Sequence, residues 1–414
     1  MKHLLKNLLL STFVLLSMSC NESDEKESVL ELDPRRDITF TRAEAEIGNG
    51  ANEFSFKLLT QMANEQGNQS FSPLSTHMAL SMLCNGAGGD TYEEMIDRLG
   101  YKNLDLEVLN SYNQKLMEEL PALDKTMSVG IANGFWAKGF LPILDSYKSQ
   151  ICKYYQANIS NIDNLNVKKS IDEINVWCDE KTKHMIPSLV DPNDDFDALI
   201  ANALCFEGTW RTGFDEKATK KEKFHNENGS STDVQMMSKT NVYGITSLNG
   251  LDVIEIPYGN ESFSMYVILP KDENESISDA ITGLDNAIWT NIKGNLSRNS
   301  EIKLSLPKFE IKNNIDLIPI LISMGFEKTL SEHPDFSNLC KTGLIVTKAF
   351  QKNYFKIDEK GAKAASSTAM EMVDSALPSG GVSTPTFTVN RPFAFIISEK
   401  SSSAILFAGI VREM

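Results

Sequence analysis

The stretch Leu199-Ile200-Ala201-Asn202-Ala203-Leu204-Cys205-Phe206 sets the fold class of this chain. Its apolar run, broken only by the amide of Asn202, is typical of a strand covered on both faces, because a strand with one wet face alternates with period two. Such a strand needs neighbours in a sheet and packing layers on either side of that sheet. We therefore expect a large core, and 414 residues that are 41% hydrophobic can supply one.

Amphipathic helical patterns precede this stretch, and strand patterns follow it. The patterns predict helices over residues 50–63, 74–85, 92–99 and 168–183. They predict strands over residues 253–256, 263–269, 302–311, 393–397 and 404–411. Helices first and strands later favour an α+β fold with large, mostly antiparallel sheets. Neither a linker nor a repeat divides residues 46–414, so we expect one domain there.

The first 19 residues predict a signal peptide. Lys2 and Lys6 precede an apolar stretch that is too short to span a bilayer and that ends at Ser19-Cys20. A small residue before a cysteine resembles a bacterial lipobox, so we expect Cys20 to become the lipidated first residue. The acidic residues 20–45 then predict a flexible tether. The expected location is the outer membrane, facing the cell surface or the periplasm, with secretion as the alternative.

Charge and motifs argue against several functions. A formal net charge of −16 disfavours nucleic acid as a partner, since phosphate binding needs a basic patch. The sequence has no P-loop, dinucleotide fingerprint or Gly-x-Ser-x-Gly elbow, so we expect neither a cofactor nor hydrolase activity. The other cysteines have no metal-type spacing, and we expect no metal site. We predict that these five are small buried hydrophobes: Cys84, Cys152, Cys178, Cys205 and Cys340.

Seven segments, in sequence order, resemble the serpin family. They are Asn68–Ser75, Ile131–Trp136, Ile174–Trp177, Asn202–Trp210, Leu306–Phe309, Asp335–Ser337 and Asn390–Phe393. The resemblance covers about residues 46–412. It implies a serpin fold, with about nine helices packed on three mainly antiparallel β-sheets and an exposed reactive-centre loop over about residues 359–385. It also implies a monomeric protease inhibitor rather than an enzyme.

The resemblance implies two regions that control opening of the main sheet. One is the shutter, formed by Ser72, Ser75 and Asn202, and the other is the breach, at Trp210. Gln351 stands where the family usually carries a histidine. An amide can both donate and accept hydrogen bonds, so a polar shutter is possible without a group that titrates.

The start of the loop resembles the hinge of inhibitory serpins, with an acid, a glycine and then small residues. The hinge residues are Glu359, Gly361, Ala362, Ala364, Ala365, Ser366, Ser367 and Thr368. A central strand must donate its backbone N–H groups, and no proline occurs from Gly361 through Leu377. Alternate residues from Ala362 to Met372 are uncharged and can face a core, until Asp374 breaks the pattern. We therefore expect an insertable strand that ends near residues 372–373.

Counting from Glu359 at family spacing places the reactive bond at Ser375-Ala376. Its flanking residues are Met372, Val373, Asp374 and Leu377. Counting back from Asn390 gives a second site near residues 381–382, which would thread Pro378 through a sheet, so the first count is preferred. Small neutral residues suit elastase-like serine proteases. Inhibition of cysteine proteases and a non-inhibitory role as a surface binding protein stay open as alternatives.

Overall fold

The computed structural model describes residues 32–103, 105–191, 193–194, 196–362 and 384–414. Within these ranges, no helix combines the length and the apolar character needed to cross a bilayer. The signal peptide, residues 20–31 of the tether and residues 363–383 of the loop lie outside them, so the predictions for those segments stay predictions.

Nine α-helices occur in the described ranges, and all four predicted helices are among them. They are α1 (Arg42–Met62), α2 (Pro73–Cys84), α3 (Gly89–Arg98), α4 (Leu106–Glu119), α5 (Asp145–Tyr155), α6 (Val167–Lys181), α7 (Ile277–Ile281), α8 (Asn286–Gly294) and α9 (Leu317–Ser323). Two single 3₁₀ turns add to these helices, at Leu120–Ala122 and Glu216–Ala218.

Helix α1 begins at Arg42, which is before both its predicted start and the predicted domain boundary at residue 46. A capping box sets this start. Thr41 Oγ1 accepts from the Glu44 N–H at 3.2 Å, and the Glu44 carboxylate accepts from the Thr41 N–H at 2.7 Å. Upstream, Ile38 is only 6% exposed. The last residues of the predicted tether are therefore part of the folded domain. The apolar pattern could not predict this, because the first turn of α1 is polar.

Sixteen strands in the described residues form three sheets. They are β1 (Gln69–Phe71), β2 (Met127–Lys138), β3 (Asn158–Ile162), β4 (Ala198–Thr209), β5 (Lys220–His225), β6 (Ser231–Val242), β7 (Gly244–Leu248), β8 (Leu251–Pro257), β9 (Phe263–Pro270), β10 (Glu301–Pro307), β11 (Phe309–Asp316), β12 (Lys348–Asp358), β13 (Gly361–Ala362), β14 (Thr386–Thr388), β15 (Phe393–Glu399) and β16 (Ile405–Val411). The main sheet has the order β11-β12-β13-β4-β2-β3, the core sheet β1-β16-β15-β9-β8-β7, and the small sheet β14-β10-β6-β5. Most neighbours are antiparallel, and the α+β class is confirmed.

Residues 302–311 were predicted as one strand, and this is wrong because they belong to two strands in different sheets. Strand β10 ends at Pro307 in the small sheet, and β11 begins at Phe309 on the edge of the main sheet. Proline cannot donate to a ladder, and Lys308 between the strands donates its amide to Gln235 of β6 at 2.9 Å. The apolar alternation continues through this junction, so the pattern alone could not show it.

Strand β4 is buried on both faces, as its apolar run predicts. Leu199, Ala201 and Ala203 pack in one cluster with α6. The alternate residues, such as Ile200 and Phe206, belong to the large core on the other face, which α2 and the core sheet share. The main sheet is therefore covered where β4 runs through its centre.

The five cysteines in the described residues are all unpaired. Four of them are buried, as predicted: Cys84, Cys178, Cys205 and Cys340. Cys152 is exposed, which corrects the prediction for that residue. It follows the fully buried Ile151 on α5, and a single helical step of 100° turns it away from the core. In the described ranges, no cluster of His, Cys, Asp or Glu is arranged to hold a metal ion.

Candidate functional site: a gap in the main sheet

The structure describes Glu359, Gly361 and Ala362 of the predicted loop. The remaining predicted hinge and reactive-bond residues lie outside the described ranges: Ala364, Ala365, Ser366, Ser367, Thr368, Met372, Val373, Asp374, Ser375, Ala376 and Leu377. Cys20 also lies outside them. The site that can be built from coordinates is therefore the hinge and the part of the main sheet that it enters.

The described hinge is already a short strand of the main sheet. Strand β13 lies antiparallel between the ends of β12 and β4, with Ala362 opposite Ile357 on one side and Gly208 on the other. Gly361 has a φ of +142°, and a Cβ there would lie 1.9 Å from the Gly208 carbonyl oxygen. Only glycine fits this approach of two backbones.

Below β13, strands β4 and β12 come apart. They are parallel, and their direct pairs in the described residues join Leu199 to Lys348 and Ile200 to Ala349, at the start of both strands. We call the interval between these two lower pairs and β13 the strand gap. Along it, the facing backbone edges of β4 and β12 have no ladder partner from one another. Unpaired edges inside a sheet are a ready template for another strand.

The amino terminus of α2 bridges the two sides of the strand gap. Toward β12, the Ser72 N–H donates to Gln351 Oε1 at 2.7 Å, and Gln351 Nε2 donates to the Ser72 carbonyl at 2.9 Å. Toward β4, Ser75 Oγ donates to Asn202 Oδ1. All four side chains are buried. The predicted shutter residues are thus in contact, and Gln351 uses both ends of an amide that does not titrate.

A cavity of about 20 Å³ lies directly under the shutter. Asn202 and Gln351 reach its edge, and the remaining lining is mostly apolar. The lining includes Ala79, Leu80, Leu83, Leu317, Leu321 and Val346. This free volume lies where α2 and α9 meet the lower end of the strand gap.

Trp210, the predicted breach residue, closes the upper end. Its indole Nε1–H donates to the Asp358 carbonyl at 3.0 Å, and its backbone N–H donates to the Lys360 carbonyl at 2.9 Å. The ring stacks on Tyr258, with centroids 4.4 Å apart and planes 15° from parallel. Trp210 therefore fixes the turn between β12 and β13.

Glu359 occupies that turn with its carboxylate only 7% exposed. Burial alone raises the pKa of this carboxyl. Hydrogen bonds from Lys308 at 2.8 Å and from Thr219 Oγ1 at 2.8 Å outweigh burial, and the net pKa lies below its ordinary value. The hinge is therefore held by an ion pair with the residue that links the small sheet to the main sheet.

His77 gives the shutter helix a dependence on pH. It is fully buried on α2, with Nε2 2.7 Å from the Tyr101 hydroxyl, and burial lowers its pKa to about 4. The unfolded chain binds this proton below pH ~6.5, whereas the folded chain does not until about pH 4. The free energy of unfolding should therefore fall by about 3 kcal/mol from this group between pH 7 and pH 4.

Urea unfolding at both pH values checks this expectation. His77→Gln should reduce the difference between the two free energies of unfolding by about the same amount, because no proton is taken up at that position. His333→Gln, at an exposed histidine, is the matched control. An unchanged pH dependence in His77→Gln would contradict the assignment.

Sequence comparisons agree with this architecture. A model of the family described as "Serpin (serine protease inhibitor)" matches residues 49–414. Intracellular coagulation inhibitor 2 of Tachypleus tridentatus is 32% identical, over 90% of this chain and 92% of its own length. Iripin-3 of Ixodes ricinus is 31% identical, over 88% of this chain and 94% of its own length. An uncharacterized serpin-like protein of Methanosarcina acetivorans is 28% identical over 89% of this chain and 88% of its own length.

Solved structures show the same fold. The thermophilic serpin tengpin in its native state superposes with a TM-score of 0.81 and is 27% identical, covering 92% of this chain and 97% of its own. Human thyroxine-binding globulin complexed with its ligand has a TM-score of 0.80 at 24% identity, covering 90% of this chain and 99% of its own. The second likeness is one of fold alone.

Proposed function

The chain belongs to the serpin family, and from that premise we propose that it is a suicide inhibitor of serine proteases. The protease serine attacks the reactive bond and forms an ester with the carbonyl of Ser375, and Ala376 leaves as a free amine. The cut loop then enters the strand gap and carries the attached protease with it. The observation that carries this proposal is the strand gap itself, with β13 already in place at its upper end.

Register supports the length of the inserted strand. β13 pairs antiparallel with β4, with Ala362 opposite Gly208. Continuing one residue for one residue puts Met372 opposite Ala198, the first residue of β4. The same residue is where the alternation of uncharged side chains ends in the sequence. Two independent limits, one from the sheet and one from the loop, therefore coincide.

Side-chain direction supports the same register. Ala362 is opposite Ile357, and both are buried toward the large core. Every second residue after Ala362 then points to the same face, because side chains in a strand alternate. In this register Thr368 comes between Asn202 and Gln351 of the shutter. The uncharged side chains, at every second residue from Ala362 to Met372, would thus face the core, and Lys363 and Glu371 would lie on the opposite face.

Energy favours insertion over an exposed cut end. Residues 363–372 would form a central strand with hydrogen bonds to both neighbours, each worth roughly 0.5–1.5 kcal/mol net. The sum is on the order of 10 kcal/mol, before any apolar burial is added. The cavity under the shutter adds free space at the lower end, enough for about one water-sized group.

Serine proteases of elastase-like specificity fit the reactive bond best. Ser375 is small and neutral, and no lysine or arginine lies near it in the sequence. Incubation with elastase should give an adduct that survives SDS, together with a released carboxy-terminal peptide that begins at Ala376. Mass spectrometry of that peptide measures the cut. Ser375→Arg is the matched variant, and it should move inhibition from elastase to trypsin-like proteases.

A covalent adduct distinguishes the inhibitor from a non-inhibitory binding protein. Thermal melting before and after cleavage provides the second measurement, because insertion should raise the melting temperature markedly and a loop that stays outside should leave it unchanged. No adduct with several elastase-like proteases and no rise on cleavage would contradict the proposal. An adduct with cysteine proteases alone would mean that the targets are cysteine proteases and not serine proteases.

We further propose that the chain is an outer membrane lipoprotein held through Cys20. The support is the leader, with its short apolar stretch ending at Ser19-Cys20, and the acidic residues that follow. Cys20→Ala should move the protein from the detergent phase to the aqueous phase in detergent partition, since no acyl chain can then be attached. Equal partition of both chains would contradict a lipid anchor.

A further inference from the structure

A chain of buried side-chain hydrogen bonds leads away from the strand gap. It begins where Ser75 meets Asn202 of β4. Asn202 Nδ2 donates to Oδ1 of Asn133, its direct neighbour on β2. Asn133 Nδ2 in turn donates to the backbone carbonyl of Tyr155 at 2.8 Å. The shutter is thus joined to the last residue of α5.

Tyr155 extends the chain to two further helices. Its hydroxyl donates to Asn110 Oδ1 at 2.7 Å and accepts from Asn113 Nδ2 at 3.3 Å, both on α4. Asn110 exchanges two hydrogen bonds with Asn85, at 2.8 and 2.9 Å. Asn85 caps the carboxy terminus of α2. This hydrogen-bond network therefore starts at the amino terminus of α2 and returns to its carboxy terminus, and Tyr155 connects its two halves.

Burial makes each bond in this network costly to lose. Tyr155 and Asn113 have no exposed surface, and Asn133, Asn110 and Asn202 are at most 5% exposed. A buried polar group that loses its partner cannot replace it with water, so the cost is larger than the net value of the hydrogen bond. The network consequently resists any movement that separates its members.

Opening the strand gap is such a movement. Ser72 holds the β12 side and Ser75 holds the β4 side, from positions three residues apart on the same helix. A new strand between β4 and β12 must separate these two attachments. β2 is paired with β4 from Met127 to Ala137, so Asn133 moves with Asn202. The bond from Asn133 to the Tyr155 carbonyl must then stretch, or α5 must follow.

We propose that Tyr155 is a positioning residue that sets how readily the strand gap opens. Its hydroxyl fixes the residue whose carbonyl restrains Asn133, and through Asn133 it restrains β4. The inference concerns opening of the main sheet, and it rests on the proposed function only in giving that opening a purpose. It assigns part of the control of insertion to a side chain on α5, outside the shutter.

Tyr155→Phe against Tyr147→Phe is the test. Both tyrosines lie on α5, both are buried, and each variant removes one hydroxyl; Tyr147 donates only to the Met82 carbonyl, at 3.1 Å. Hydrogen exchange of peptides covering residues 199–206 and 349–356 measures local opening. Tyr155→Phe should speed this exchange about tenfold, equal to about 1.4 kcal/mol. Tyr147→Phe should change it less than twofold, whatever its effect on global unfolding.

A double-mutant cycle tests the coupling directly. In a Ser75→Ala background, Tyr155→Phe should add less than twofold, because the connection to α2 is already broken. Equal exchange in the two tyrosine variants, or a full tenfold effect in the Ser75→Ala background, would overturn the proposal. Exchange needs no protease, so a chain that inhibits nothing can still support this inference, and an efficient inhibitor can still refute it.

Discussion

Replacing Ala364 with arginine should turn the proposed inhibitor into a substrate of its protease. In the register that continues from β13, residue 364 comes between Phe206 of β4 and Phe355 of β12, and both rings are buried. A guanidinium placed there would lose its hydration without an acid to pair with. We expect cleavage by elastase to continue while the SDS-resistant adduct falls at least tenfold, as measured by densitometry of adduct and cut chain.

Ala365→Arg is the matched control for that variant. Its side chain would point to the other face, beside the half-exposed Tyr354 and Lys356, where a long cation can reach water. Adduct formation should stay within about threefold of the parent chain. Equal loss in both variants would show that charge alone disturbs the loop, and the register would then have to be abandoned.

Glu359→Lys should strongly destabilise the breach. It replaces a buried carboxylate with a cation beside Lys308, so an ion pair becomes a repulsion. We expect the free energy of unfolding to fall by about 3 kcal/mol, the low end for a buried pair that loses one partner, because the Lys308 side chain is 37% exposed and keeps part of its hydration. Because the native pKa of Glu359 is lowered, its contribution is present above about pH 4.5 and is lost as the pH falls. Urea unfolding at neutral and acid pH measures both effects.

Two further variants test whether loss of the ion pair causes the lower stability of Glu359→Lys. Glu310→Lys makes the same charge change at a 40%-exposed side chain on β11 and should cost under about 1 kcal/mol. The exchange Lys308→Glu with Glu359→Lys restores opposite charges and should recover about half of the loss. No recovery in the exchanged pair would mean that shape or Thr219, rather than charge, holds the hinge.

Much of this architecture could be predicted from the sequence because its signals are local. Ser72 before Pro73 marks the start of α2, and the apolar run of β4 requires cover on both faces. The change of sheet at Lys308 could not be predicted, since alternation continues across Pro307. The exposure of Cys152 was missed because thiol chemistry alone does not say which face of a helix a residue occupies.

Partners of the site residues were harder to predict than the residues themselves. Lys308 lies in Leu306–Phe309, one of the segments that resemble the serpin family. Its ion pair with Glu359 could not be predicted, because the two residues are far apart in the sequence. Asn133 did carry a usable signal, because an amide within an apolar strand needs a buried partner. Nothing in the sequence indicates that the partner is the carbonyl of Tyr155, since this depends on how α5 packs against β2.

Strands β4 and β12 are still paired at the lower end of the strand gap, through Leu199–Lys348 and Ile200–Ala349. These two pairs would divide the proposed insertion of the cut loop into two unequal stages. Residues 363–368 can enter without separating any existing strand pair, which gives an inserted strand about 20 Å long at roughly 3.3 Å per residue. Met370 and its successors must first part Ile200 from Ala349 and Leu199 from Lys348. In the proposed mechanism these two pairs are a barrier to insertion. A protease that stops there would have been moved only partway, and it would have time to hydrolyse its ester and dissociate.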